Sequence, residues 1–302
     1  MNIALERYNL ERKRVPALPK IDAIPDLTPF AEFGLGVAAF HGDEMVGFLC
    51  SVPAFPNVFR STDAIGVFSP MHANGATGIN RALIYDLMYQ AAGKRWAAAG
   101  ASSHAICLYA HDREVQERLF LRGFGLRCLD AIRLAEGLSL SPVSGFEFCE
   151  LSPDELPSIL SLNHKLDEHM ASSPTFILRP SDSIEAFCEK AEQSHARFFA
   201  AKTEGETVAF IKAEQDGETF ICSLPGYLHI TGAYCLPEYR GTGVYQNLLD
   251  FLIGILKTEG YALLGVDFES INPTAYGFWL KYFDAYTHSV TRRIDEHAIQ
   301  KS

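Results

Sequence analysis

The stretch Pro237-Glu238-Tyr239-Arg240-Gly241-Thr242-Gly243-Val244-Tyr245 places an arginine and two glycines directly ahead of a segment with helical spacing. A glycine loop that feeds a helix leaves several backbone N–H groups without internal partners, and the helix dipole adds a partial positive charge at the same point. Such a junction is a seat for phosphate. Arg240 sets a permanent cation at its edge, and Gly241 and Gly243 let an anion reach the main chain with no Cβ in the way. No Walker-type lysine follows, and Gly-Thr-Gly is too short for the dinucleotide fingerprint, so ATP/GTP and NAD readings lose ground. An ordinary strand-to-helix turn carrying a surface arginine is the competing reading of these residues alone.

The elements that must position this loop are legible on both sides. Leu228 to Leu236 has the β-branched, aromatic and apolar content of a strand that Pro237 stops. Val244, Leu248, Leu252, Ile255 and Leu256 recur at helical spacing, so a helix starts at or near Gly243 and ends at Gly260. Tyr261 to Phe268 predicts a second strand, parallel to the first through a right-handed crossover. Asn272 is a good N-cap and Pro273 suits the first helical position, so another helix begins there.

In this order, Arg240, Gly241, Gly243, Asn272, Ala275, Phe278 and Trp279 resemble the pattern of the Gcn5-related N-acetyltransferase (GNAT) family. The resemblance implies an α/β (α+β) fold of mixed twisted sheets flanked by helices, and acetyl-CoA (CoA) as cofactor. It implies a diphosphate on Arg240, Gly241, Thr242, Gly243, Val244 and Tyr245, and a pantetheine arm along Ala233, Tyr234, Cys235 and Leu236. Asn272 and Trp279 complete the cofactor-binding set. The implied activity is transfer of an acetyl group to a primary amine by direct attack on the thioester, since no Cys-His or Ser-His pair suggests a covalent intermediate. Two departures stand out: Tyr245 occupies a place where the family commonly has glycine or alanine, and Trp279 replaces the tyrosine that often protonates the departing thiolate. Glu269 is the expected general base, ahead of Asp267 and His229, and Tyr276 is the expected substitute acid. The acceptor is a small-molecule or peptide amine, its identity open. The rival reading is a non-catalytic acyl-CoA-binding sensor.

Composition sets the wider frame. The 302 residues are 48% hydrophobic and 21% charged, with a formal charge of −11 that argues against nucleic acid as partner. Seven scattered cysteines with no C-x-x-C pair fit neither zinc ligation nor a disulfide framework, and Cys235 is expected to be a small buried apolar residue rather than a nucleophile. The charged N-terminal stretch and the lack of a long apolar run predict no membrane span and a cytoplasmic location. Assembly is open, a homodimer included.

The first half repeats the theme. Gly36 to His41 and Glu44 to Val52 predict a hairpin turning at Gly42-Asp43. Then come a strand at Ala64 to Phe68, a glycine loop Asn74 to Gly78, a helix whose apolar face is Ile79, Leu83, Leu87 and Ala91, a strand at Ser103 to Tyr109, a helix capped by Asp112, and a strand at Leu126 to Leu134. This order equals that of 228–296 and predicts an internal duplication. The first copy has no arginine ahead of its loop and Phe120 in place of Trp279, so it is expected to be a degenerate GNAT-like domain. The expected division is residues 1–137, a linker at 138–145, and an acetyl-CoA-binding domain at 146–302. His72, His104 and His111, and the cluster His164, Asp167, Glu168 and His169, lack ligand spacing, so no metal is expected. The loop Ala171 to Pro180 is the expected acceptor contact.

Overall fold

The computed structural model describes residues 3–58 and 64–299. In chain order the elements are α1 (Ile3–Arg12), α2 (Thr28–Glu32), β1 (Val37–His41), β2 (Glu44–Leu49), β3 (Gly66–Ser69), β4 (Asn74–Ala76), α3 (Arg81–Ala98), β5 (Ser103–Tyr109), α4 (Arg113–Phe120) and β6 (Gly125–Leu134). The second half carries β7 (Glu147–Glu150), α5 (Leu160–Ala171), α6 (Ile184–Gln193), β8 (Arg197–Thr203), β9 (Glu206–Glu214), β10 (Tyr227–Cys235), α7 (Val244–Thr258), β11 (Leu263–Glu269), α8 (Pro273–Trp279), β12 (Asp284–Ala285) and β13 (Thr287–Arg293).

The chain forms two compact units. The first comprises 1–130, 268–270 and 284–302; the second comprises 131–267 and 271–283. This differs from a division at a 138–145 linker, because a strand belongs with its ladder partners rather than its sequence neighbours. In the first unit, β13 runs antiparallel to β5 along seven residue pairs, from Thr287↔Tyr109 to Arg293↔Ser103, and its other edge pairs with the start of β6. Val290 of β13 is fully buried in a core with Tyr85, Tyr89, Trp96, Ile106 and Leu119. The chain's last strand is therefore an interior strand of its first unit.

Two expectations for the first unit change. Asn74 to Ala76, expected as part of a glycine loop, is a strand, paired antiparallel with β2 at Leu49↔Asn74, Phe48↔Gly75 and Gly47↔Ala76. A helix follows only at Arg81, whose guanidinium grips the buried carboxylate of Asp112 at 2.7 and 3.0 Å. The expected inner face is outside: Ile79, which precedes α3, and Leu83 and Leu87 on it are exposed, while Tyr85, Met88, Tyr89, Ala92 and Trp96 are buried. The aromatic face offers more area to bury, and its polar tips are satisfied, Tyr85 Oη donating to Asn74 Oδ1 (2.7 Å) and Trp96 Nε1 to the Leu35 carbonyl (3.0 Å). The hairpin β1–β2 turns where expected, with His41 opposite Glu44.

The second unit is a mixed sheet in the order β7-β8-β9-β10-β11, antiparallel except for the parallel pair β10–β11. Ser152 and Glu155 form the expected capping box, but the segment it opens is 3₁₀ helix over Pro153–Ile159 before α5 begins, since Pro157 cannot donate into an α-helical ladder. On α7, Val244, Leu248, Leu249, Leu252, Ile253 and Leu256 are buried, close to the predicted stripe.

Candidate functional site

The parallel strands separate where the loop needs them to. β10 pairs with β11 from Tyr227↔Leu263 to Ile230↔Val266 and no further, yet it stays paired with β9 out to Cys235↔Ala209. An irregularity between Ile230 and Gly232 bends β10 at that point. The strand's second half, Thr231 to Cys235, thus leaves its parallel neighbour and borders a cavity of about 360 Å³. Ala233, Tyr234 and Cys235 line one side, and Asn272, Ala275, Phe278 and Trp279 of the α8 segment line another. Arg240, Gly241 and Tyr245 bring the glycine loop to its wall.

The loop has the predicted donor character. Gly241 and Gly243 hold φ of +77° and +93°, values that side chains strain to reach. The Arg240 amide donates to Pro237 O (3.2 Å), and the next main-chain bond is Asn247 N–H to Gly243 O (3.0 Å). Between them, the amides of Gly241 to Tyr245 donate to no acceptor among the described residues. A Cβ built on Gly241 would meet nothing within 4 Å, so the main chain there is open to an approaching group. Arg240 Nε donates to the Cys235 carbonyl (2.9 Å) and its guanidinium lies 5.3 Å from the Tyr234 ring centre, which sets the cation between strand and loop.

The departures at Tyr245 and Trp279 have a shared structural outcome. Tyr245 turns its ring against Phe278 (centroids 5.0 Å) and Trp279 (6.1 Å), so it forms cavity wall while the cavity stays open beside it. Its hydroxyl is buried with no hydrogen-bond partner among the described residues, and burial pushes its pKa well above the usual phenol value. Burial likewise pushes the Cys235 thiol up to about 11, against the nearby Arg240 cation, which makes it an apolar wall residue and no nucleophile.

Other predicted residues sit elsewhere. Leu236 packs partly buried against the core of Phe198 and Phe210, Val244 is fully buried, and the Thr242 hydroxyl donates to Tyr239 O (2.7 Å); with Gly243 they contribute backbone rather than lining side chains. Glu269, the expected base, is held by the Arg127 guanidinium at 2.6 Å and is not among the lining residues. Tyr276, the expected acid, is 42% exposed on α8 and does not line the cavity either. At helical spacing, Ala275, Phe278 and Trp279 take the inward positions and turn Tyr276 out.

His229 is fully buried: its Nδ1 meets Tyr227 Oη (2.7 Å) and its Nε2 meets Asp267 Oδ1 (2.9 Å), so it cannot receive a substrate proton directly. Of the first unit's histidines, His104 is buried against Tyr89 and Ala101, with burial lowering its pKa to about 4, and His111 pairs with Glu11 (2.8 Å). Among the described residues no three His, Cys, Asp or Glu side chains converge as a metal site.

Sequence reasoning missed Leu166, His169, Gln246, Thr274 and Lys281, all of which line the cavity. Leu166 and His169 are three apart on α5, a spacing that puts them on one helix face, and that was the available signal.

Residues 164–284 match the model of a family described as Acetyltransferase (GNAT) family, and that stretch of the chain is a GNAT domain. Among solved structures, a GCN5-related N-acetyltransferase from Sphaerobacter thermophilus is similar over 85% of this chain and 80% of its own, at 11% identity and a TM-score of 0.53, which shows a likeness of fold. A functionally unknown conserved protein from Staphylococcus epidermidis covers 86% of this chain and 95% of its own at 11% identity and a TM-score of 0.49. A tandem GNAT protein from the clavulanic acid biosynthesis pathway covers 96% and 94% at 11% identity and a TM-score of 0.44. No curated protein matches the sequence.

Proposed function

We propose that the second unit binds acetyl-CoA and transfers its acetyl group to a primary amine, without a covalent enzyme intermediate. The observation that carries this reading is the row of unpartnered amides from Gly241 to Tyr245 at the start of α7, opening beside the cavity. Those amides and Arg240 would hold a diphosphate. Ala233, Tyr234 and Cys235, on the half of β10 that has left β11, would flank the pantetheine arm, and a backbone N–H there would polarise the acyl carbonyl. Bound there, the thioester would supply the acyl group: its carbonyl carbon would gain the bond to the amine nitrogen and give up the bond to sulfur, which would leave with the electron pair.

The chain's own side chains do the rest. Tyr245, Phe278 and Trp279 form an apolar wall that keeps water from the acyl group. The loop 171–180, with Phe176 and Leu178 largely exposed, would meet the acceptor, a small-molecule or peptide amine. No acid is required, because a thiolate is a fair leaving group.

Replacing Arg240 with alanine should weaken CoA binding by roughly 1–3 kcal/mol, the range for a hydrogen bond to a charged group. Titration calorimetry checks this, and unchanged affinity would remove the loop from the site. Acetyl-CoA mixed with an amine panel should release free thiol. The absence of a tyrosine hydroxyl at position 279 favours one second reading, a non-catalytic acyl-CoA sensor; CoA binding with no thiol release across a broad panel would support it.

A further inference from the structure

We propose that His169 is the catalytic base of the second unit, its Nδ1 taking the proton from the substrate's ammonium group. This rests on the transferase reading above and adds the residue that makes the amine nucleophilic.

The N-cap of α8 fixes which atoms around His169 donate and which accept. The Ala275 backbone N–H can only donate, and it points at one atom of the Asn272 side chain (3.4 Å), the N-cap contact of α8; that atom is therefore the amide oxygen, Oδ1. The Thr274 hydroxyl spends its single hydrogen on the same oxygen (2.7 Å). His169 Nε2 lies 3.2 Å from Asn272 Oδ1 and 3.3 Å from Thr274 Oγ1. Both are acceptors toward the ring, so Nε2 must carry a hydrogen. In a neutral imidazole the other nitrogen then holds a bare lone pair. No described residue bonds to Nδ1. The helix cap of α8 thus fixes the tautomer of a histidine on α5 and leaves its basic nitrogen unused.

The neighbours exclude rivals. Arg240 and Lys281 are cations, and Tyr234, Cys235 and Tyr245 have pKa values raised by burial, so none of them accepts a proton near neutrality. On its own helix, His169 follows Glu168 and lies four residues beyond Lys165. Glu269, the base expected from sequence, is neutralised by Arg127.

The proton count closes. The ammonium gives one proton to Nδ1, which becomes an imidazolium that still donates from Nε2 to Asn272 Oδ1. The freed amine lone pair forms the C–N bond, the nitrogen then loses its second proton to the departing sulfur, and the imidazolium returns its proton to water.

His169→Gln keeps an N–H to offer Asn272 but lacks a base. It should lower amine-dependent kcat/KM by about 10²–10⁴-fold and abolish the acid limb of the wild-type pH profile, with CoA affinity unchanged in calorimetry. Independently of turnover, ¹⁵N-histidine NMR of the free protein, with His169 assigned by its loss in the variant, should report the Nε2–H tautomer. Wild-type thiol release matched by the variant at every pH, or an Nδ1–H tautomer, would overturn the base assignment alone. A wild type that binds no CoA would overturn the transferase reading and this role together.

Discussion

At the scale of single residues, the most consequential cluster outside the cavity is Cys222, Tyr227, His229 and Asp267. Burial alone would lower the His229 pKa, but the hydrogen bond and charge of Asp267, with the Cys222 sulfur (3.8 Å) as a further partner, raise it to about 10. The folded value lies above the unfolded value of about 6.5. The pair therefore adds stability in full below about pH 6.5, and the contribution fades as pH rises through about 10. Urea denaturation of wild type and His229→Gln should show a stability gap at acidic to neutral pH that narrows on the alkaline side; a gap independent of pH would refute the charged pairing. The cluster also needs a missing side chain. A Cβ on Gly265 would lie 1.7 Å from Tyr227 Oη and 2.8 Å from His229 Nδ1. Gly265→Ala should destabilise the second unit by about 1–3 kcal/mol, the usual cost of overpacking, as read from the shift in denaturation midpoint.

At the scale of elements, β13 and α8 carry the most weight. β13 lies between β5 and β6 in the first unit, so ending the chain after Tyr286 removes two ladders at once and the buried Val290. Truncation there should unfold the first unit although its own N-terminal sequence is intact. Trp96 lies in the first unit's core and Trp279 in the second, so fluorescence of a Trp279→Phe background reports the first unit alone. An unchanged transition in the truncated form would contradict the strand assignment. Helix α8 is short, yet Asn272 joins three tasks there: it caps the helix, accepts from Thr274, and accepts from His169.

At the scale of the whole chain, both halves show a parallel strand pair of matching register length, β3–β5 and β10–β11, each followed by a helix and a further strand, as a duplication would leave. Among the described residues, only the second has an open glycine loop between its first parallel strand and the helix that follows. In the first, β4 occupies that place as a sheet strand, and Arg81 and Asp112 bind each other. CoA should therefore bind with one site per chain; calorimetric saturation at two would show a second seat in the first unit. No helix is long and apolar enough to cross a membrane among the described residues.

The sequence alone determined the strand, loop and helix of residues 228–258, the cap at Asn272 and the capping box at Ser152, because turns, caps and periodic stripes are set by residues within a few positions of one another. The resemblance, rather than local spacing, grouped Ala233 to Cys235, Arg240, Gly241, Tyr245, Asn272 and Trp279 as an expected cofactor site, and these residues line one cavity. Only the tertiary structure decided that Glu269 is held by Arg127, that Tyr276 faces outward, that His169 joins Asn272, and that β13 completes the first unit. Each of these depends on contacts between residues more than a hundred positions apart or on which of two apolar faces finds the larger partner, and local spacing carries no record of either.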